Sequence, residues 1–201
     1  KYVDPTGEVT ILVHGIWAKN EKGYEDYAEE TAKIDPNTSV CKWSETHGFM
    51  DLLSVIGEML NINHSKAEIL VQHIKDNYKE GEPLNIIAHS GGGQIFLEAA
   101  MILEEEGIEI DNLILMASPI LQIKRPKKIK KIHNLYSYAM ELGSGGGILD
   151  LEFYNIPLGW ENLIYTKLSG INHMEWWSLK SEDNDAAREY IYSILEESMN
   201  N

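Results

Sequence analysis

The sequence predicts an α/β protein: a single domain over residues 1–201 with a mostly parallel central sheet of about six strands, helices on both faces and no large lid domain. Two observations carry that expectation. Short apolar runs, each about a strand long, alternate along the chain with longer stretches of helical spacing, and strands separated by helices pair in parallel and are covered on both sides. The 201 residues are 43% apolar and 24% charged. A chain of that size makes one ordinary domain and buries roughly 70% of the surface its unfolded form exposes.

The elements follow in order. Val9 to Val13 is a compact, partly β-branched run and reads as a buried strand. Lys22 to Ile34 has helical spacing and looks exposed, and Pro36-Asn37 closes it. Ser39 to Trp43 reads as a short strand. Phe49 to Leu60 repeats apolar residues at helical intervals. Ser65-Lys-Ala-Glu68 has the pattern of a capping box and opens a helix reaching about Tyr78. Leu84 to Ala88 is a second buried strand, and a helix over Gln94 to Glu106 ends at Gly107. Leu113 to Ala117 is a strand closed by Ser118-Pro119. Lys124 to Lys131 is a basic stretch, Ile132 to Ala139 a strand and Gly143 to Gly147 a loop. Leu163 to Leu168 is the last strand, Ser169 to Trp177 a loop, and Asp183 to Met199 an amphipathic helix.

Composition narrows the function. Seventeen Lys and Arg against thirty-two Asp and Glu give a formal charge of −15, which argues against nucleic acid as a partner, because phosphate binding needs basic surface. The single cysteine, Cys41, excludes a disulfide framework and a Cys-rich zinc site, and fits a cytoplasmic compartment slightly better than a secreted one. No apolar run reaches the roughly 18 residues of a membrane span. No signal-peptide pattern is visible, but the sequence does not begin with Met, so a leader already removed stays open.

Chemistry concentrates in three places. Leu84-Asn-Ile-Ile-Ala-His-Ser-Gly-Gly-Gly93 takes a strand through a serine directly into a helix. A nucleophile on so sharp a turn is held in strained backbone geometry at the end of the sheet, and the flanking positions must be small, here Ala88 and Gly92. The glycines are contiguous and no Gly-Lys-Ser/Thr follows, so neither the dinucleotide nor the phosphate-loop pattern is present. Thr10-Ile-Leu-Val-His-Gly-Ile-Trp17 ends the first strand in His14-Gly15. In acyl transfer, the amide after such a pair and the amide after the nucleophile stabilise the oxyanion; those are Ile16 and Gly91. Leu168-Ser-Gly-Ile-Asn-His173-Met-Glu lies between the last strand and the last helix. Of the seven histidines, only His14, His89 and His173 fall at strand ends on the presumed site edge. His89 adjoins Ser90 and should point away, and His14 belongs to the turn, so His173 is the expected base. The His173-x-Glu175 fragment of a deaminase zinc motif lacks its Pro-Cys-x-x-Cys and is rejected.

In these features the chain resembles the α/β-hydrolase superfamily, and most closely its small, capless lipases and esterases of the lipase A type. The resemblance covers most of the chain, and the His14-Gly15 turn, the Ala88-x-Ser90-x-Gly92 elbow and the late His173 come in the family's order. It implies Ser90 as nucleophile, His173 as base and Ile16 and Gly91 as oxyanion donors, with no cofactor. The family's acid follows the strand before the last one. No Asp stands there; Glu141 lies within about a residue of the place and is favoured over Asp150, while an inactive site or a degenerate dyad is the alternative. The implied activity is cleavage of small-molecule or lipid-like carboxylic esters. Thioesterase, amidase or acyltransferase chemistry can use the same triad, and a non-catalytic binding module is the reading from another class.

Trp17 and Met174 flank proposed site residues and are the best candidates for substrate contact, ahead of Phe49, Met50, Trp160, Trp176 and Trp177. The basic stretch reads as a solvated connection in preference to a lipid-headgroup contact. No His, Asp or Glu cluster has metal-ligand spacing, and oligomeric state is left open.

Overall fold

The computed structural model describes residues 7–15, 21–43, 65–118, 125–137, 162–168 and 185–199. Their elements, in chain order, are β1 (Val9–Val13), α1 (Glu21–Thr31), β2 (Ser39–Cys41), α2 (Ser65–Asn77), β3 (Leu84–His89), α3 (Gly91–Glu105), β4 (Ile110–Met116), β5 (Ile129–Ser137), β6 (Leu163–Leu168) and α4 (Asp185–Met199). The strands form one six-stranded sheet in the order β2-β1-β3-β4-β5-β6, and every pairing is parallel. The helix expected over 49–60 and the loop expected over 143–147 lie outside the described residues.

The apolar strand runs are continuous because both faces of the sheet are covered, so alternate side chains serve two cores. Ile11, Val13, Ile86, Ala88, Leu113 and Leu115 pack with Leu70 and Ile74 of α2 and with Phe96 and Leu103 of α3. Leu12, Ile87, Ile114, Met116 and Leu135 face the other way, against Tyr24 and Tyr27 of α1 and Ile191 and Leu195 of α4. Helix α1 is therefore not the exposed helix its sequence suggests. Tyr24 and Tyr27 are buried, and the phenol groups hid an apolar stripe that the rings supply.

Local chemistry sets the element ends. Helix α2 begins at Ser65 with Glu68 in its first turn and Lys75 in its last, charges that suit the helix dipole. Helix α3 ends in a Schellman motif: Gly107 N–H donates to Glu104 O (3.1 Å) and Ile108 N–H to Leu103 O (3.0 Å), with Gly107 at φ +89°. Three boundaries depart from expectation. Helix α3 starts at Gly91 rather than Gln94, β4 at Ile110 rather than Leu113, and β5 at Ile129, inside the basic stretch. Ile110 pairs with Ile129 and both are buried, so two apolar residues among charges suffice to extend both strands.

The strand order reverses direction after β2. The chain steps from β1 outward to β2, then back across β1 to β3, and from there onward through β4 to β6. That makes the carboxyl ends of β1 and β3 the topological switch point, where an open α/β sheet leaves a crevice for ligands. Both sequence motifs described in this region, His14-Gly15 and Ser90, sit there.

Candidate active site

Ser90 directly follows β3 and stands at the N-cap of α3 with φ 52° and ψ −130°. For a residue with a side chain this is strained backbone, costing about 1–3 kcal/mol, and neighbouring contacts enforce it. The Ser90 N–H donates to Met116 O at the end of β4 (2.9 Å), and Ser90 O accepts from Gly93 N–H (3.1 Å). The hydroxyl does not cap the helix, although serine is a favoured N-cap residue. The residue is 6% exposed.

Helix α3 opens with three glycines, poor helix formers, and at the second and third of them a side chain does not fit. A Cβ on Gly92 would lie 2.2 Å from His14 O and 3.0 Å from Val13 O. One on Gly93 would lie 2.4 Å from Ser118 Oγ. The expected close approach at Gly92 is present, but its partner is the end of the adjacent strand β1, not β3. Ser118, fully buried, shares its hydroxyl between Ala88 O (3.2 Å) and Met116 O (3.3 Å). A Cβ on Gly15 would lie 2.8 Å from Ser90 Cβ and 3.0 Å from His89 Nδ1. The chain leaving β1 thus runs directly past the serine, and the His89 ring lies against that chain.

His14 is also tightly held. Its carbonyl accepts the Trp43 indole N–H at 2.7 Å. Its ring stacks on Trp43 (centroids 5.0 Å apart, planes at 17°) and meets Tyr24 edge-on at 5.8 Å. His14 Nδ1 lies 2.8 Å from Gly15 O; a carbonyl only accepts, so Nδ1 carries the proton. Burial raises the Tyr24 hydroxyl well above its usual range, helped by the nearby Cys41 thiol and opposed by a backbone contact to His14. Burial likewise pushes Cys41 up to about 12, which leaves it protonated and unreactive at neutral pH.

Of the residues singled out from sequence, Ser90 and Gly91 are brought together with His14 and Gly15 at the switch point. His173, Glu141, Asp150, Ile16, Trp17 and Met174 lie outside the described residues. Sequence reasoning missed Trp43 and Ser118. Trp43 was taken as the last residue of a strand, but β2 stops at Cys41 and Trp43 turns into the site region with 1% exposure. The adjacency of an indole and the His14 carbonyl has no signal in a single sequence. Among the described residues, no group of three or more His, Cys, Asp or Glu is placed to hold a metal ion. No described helix is long and apolar enough to cross a membrane.

Solved structures share this architecture. The NocB thioesterase domain from the nocardicin cluster superposes with a TM-score of 0.56 at 17% identity, over 92% of this chain and 94% of that one. The RedJ thioesterase from the prodiginine pathway of Streptomyces coelicolor gives 0.57 at 10% identity, over 96% of both chains. Est1E from Butyrivibrio proteoclasticus, solved with ferulic acid bound, gives 0.52 at 15% identity, over 96% of this chain and 88% of that one. The likeness is one of fold: the chain has the α/β-hydrolase fold. No family model matches the sequence, and no curated protein does.

Proposed function

We propose that the protein is a serine hydrolase of carboxylic esters that works through an acyl-enzyme on Ser90. The observation that carries the proposal is Ser90 itself: a serine at φ 52° between β3 and the first turn of α3, at the switch point of the sheet. Strain of that kind persists where the surrounding structure enforces it, and it clusters at reacting groups. The amides opening α3 have no acceptors within the helix, and the dipole of a 15-residue helix favours negative charge at that end.

In the proposed reaction, Ser90 Oγ attacks the ester carbonyl while His173 takes its proton. The carbonyl oxygen becomes an oxyanion held by the amides of Gly91 and Ile16. The intermediate collapses, His173 returns the proton to the departing alcohol, and the acyl group remains on Ser90. Water, deprotonated by His173, attacks the acyl-enzyme and releases the acid, and the proton goes back to Ser90. Glu141 orients His173 and stabilises its charged form, while Trp17 and Met174 contact the acyl chain. A thioester passes through the same steps with a thiol as leaving group. Two of the structural neighbours are thioesterases, so thioesters belong in the substrate panel.

The test is hydrolysis of p-nitrophenyl esters and acyl thioesters alongside labelling by a fluorophosphonate probe. Wild type should turn over and label, and folded Ser90→Ala should lose turnover by about 10³-fold or more and not label. Near-normal turnover in Ser90→Ala would remove Ser90 as nucleophile. A wild type inert to substrates and probe alike would leave a binding module on this fold.

A further inference from the structure

We propose that Trp43 is a positioning residue for the oxyanion side of this site, acting through His14 and Gly15. The inference rests on the serine-hydrolase reading. Trp43 lies far from Ser90 in sequence, yet its indole N–H reaches the His14 carbonyl at 2.7 Å and its ring stacks on the His14 imidazole at 5.0 Å. The same His14 carbonyl is the atom a Cβ on Gly92 would strike at 2.2 Å. That carbonyl is therefore trapped between the first turn of α3 and the indole of Trp43.

The joint next to it is soft. Gly15 has no side chain, because a Cβ there would lie 2.8 Å from Ser90 Cβ, and glycine turns freely about φ and ψ. Something other than Gly15 must hold the chain where it leaves β1 past Ser90. The His14 imidazole does so from the far side, donating Nδ1–H to Gly15 O at 2.8 Å. Holding the Gly15 carbonyl together with the His14 carbonyl holds the chain leaving β1 against the first turn of α3, where Gly91 is a proposed oxyanion donor. Trp43 holds both ends of this device: the His14 carbonyl by its hydrogen bond and the His14 ring by stacking. Because the donor must be aimed at the oxyanion and not at the ground-state carbonyl, the loss falls on kcat.

The experiment replaces the indole with groups that keep its ring and delete its N–H. Trp43→Phe is the genetic variant, and 3-benzothienylalanine at position 43, with sulfur in place of N–H, is the isostere that preserves shape and stacking. Steady-state kinetics on a p-nitrophenyl ester, the rate of fluorophosphonate labelling and a thermal melt are measured for each. Ile74→Val, a packing change in the core face of α2, is the control for lost stability alone. The expected result for the isostere is a kcat about tenfold lower with KM within twofold, labelling slowed in proportion, and Ile74→Val like wild type. A wild-type kcat in the isostere overturns the role, whatever Trp43→Phe does, and so does a change confined to KM. An active wild type with an unaffected isostere overturns this role alone. A wild type inert to ester and probe overturns the serine-hydrolase reading and the role with it.

Discussion

Gly92 and Gly81 differ in what an added methyl group would meet. At Gly92 it meets a backbone carbonyl at 2.2 Å, and neither α3 nor β1 can yield without moving the other. At Gly81 it meets open space, but φ is +90°. Gly92→Ala is expected to cost about 3 kcal/mol or more, as overpacking does at its upper end. Gly81→Ala should cost about 1 kcal/mol, from conformation alone. Urea denaturation of both variants measures the difference, and equal midpoints would contradict the packing described at the site. Fluorophosphonate labelling of Gly92→Ala should fall as well, because the Ser90 turn moves with the helix. The need for a small residue at 92 was legible from the elbow pattern around Ser90. Its reason was not: pattern reading relates a residue to its chain neighbours, and the clashing atom belongs to His14, just past the end of β1.

At the scale of elements, β5 and α4 hold a buried histidine that the proposed chemistry does not use. His133 on β5 faces α4, its Nδ1 3.2 Å from the Tyr190 hydroxyl, while its Nε2 has no partner. Burial, and secondarily Lys131, lowers its pKa to about 4, with Glu197 acting in the opposite direction. The unfolded chain then binds a proton near pH 6.5 that the folded chain refuses until about pH 4. Stability is complete above pH 6.5 and is lost as the pH falls between those values, by on the order of 2 kcal/mol once solvent screening is allowed for. His133→Phe should flatten the dependence of Tm on pH between 6.5 and 4 relative to wild type. An unchanged slope would mean that the ring is not the group responsible. The alternation of Ile132 to Ala139 made this strand legible, but its first residues were not, because Lys128, Lys130 and Lys131 surround Ile129. Helix α1 was legible as a helix and not as a buried one, since tyrosine counts as polar at its tip and apolar along its ring.

For the whole molecule, the balance of charge decides how the basic stretch behaves. Read alone, lysines at 127, 128, 130 and 131 resemble an anion-binding strip, and each unpaired cation near an anionic bilayer contributes about 1 kcal/mol. In the fold two of these groups, Lys130 and Lys131, pair with the protein's own acids. Lys130 bridges Asp111 (2.7 Å) and Glu109 (3.1 Å), and Lys131 reaches Glu197 (3.2 Å). Lys128 Nζ donates to Gly107 O at 3.1 Å, beyond the end of α3, and the Lys127 backbone N–H donates to Glu104. Such exposed pairs contribute little stability, about 0–1 kcal/mol each, but they spend the positive charge locally. The body around them carries a net −15, which repels an anionic membrane and also repels itself. Two outcomes follow from the same balance. Raising salt from about 0.01 to 0.15 M shortens the Debye length from about 30 to 8 Å, so Tm should rise by a few degrees as self-repulsion is screened. Phosphatidylserine vesicles at about 0.1 M salt should not sediment the protein. If the protein sedimented with those vesicles and salt released it, the lysines would be available to phosphate despite the carboxylate partners of Lys130 and Lys131. The basic stretch would then be a contact surface rather than the paired connection between β4 and β5 that the structure presents.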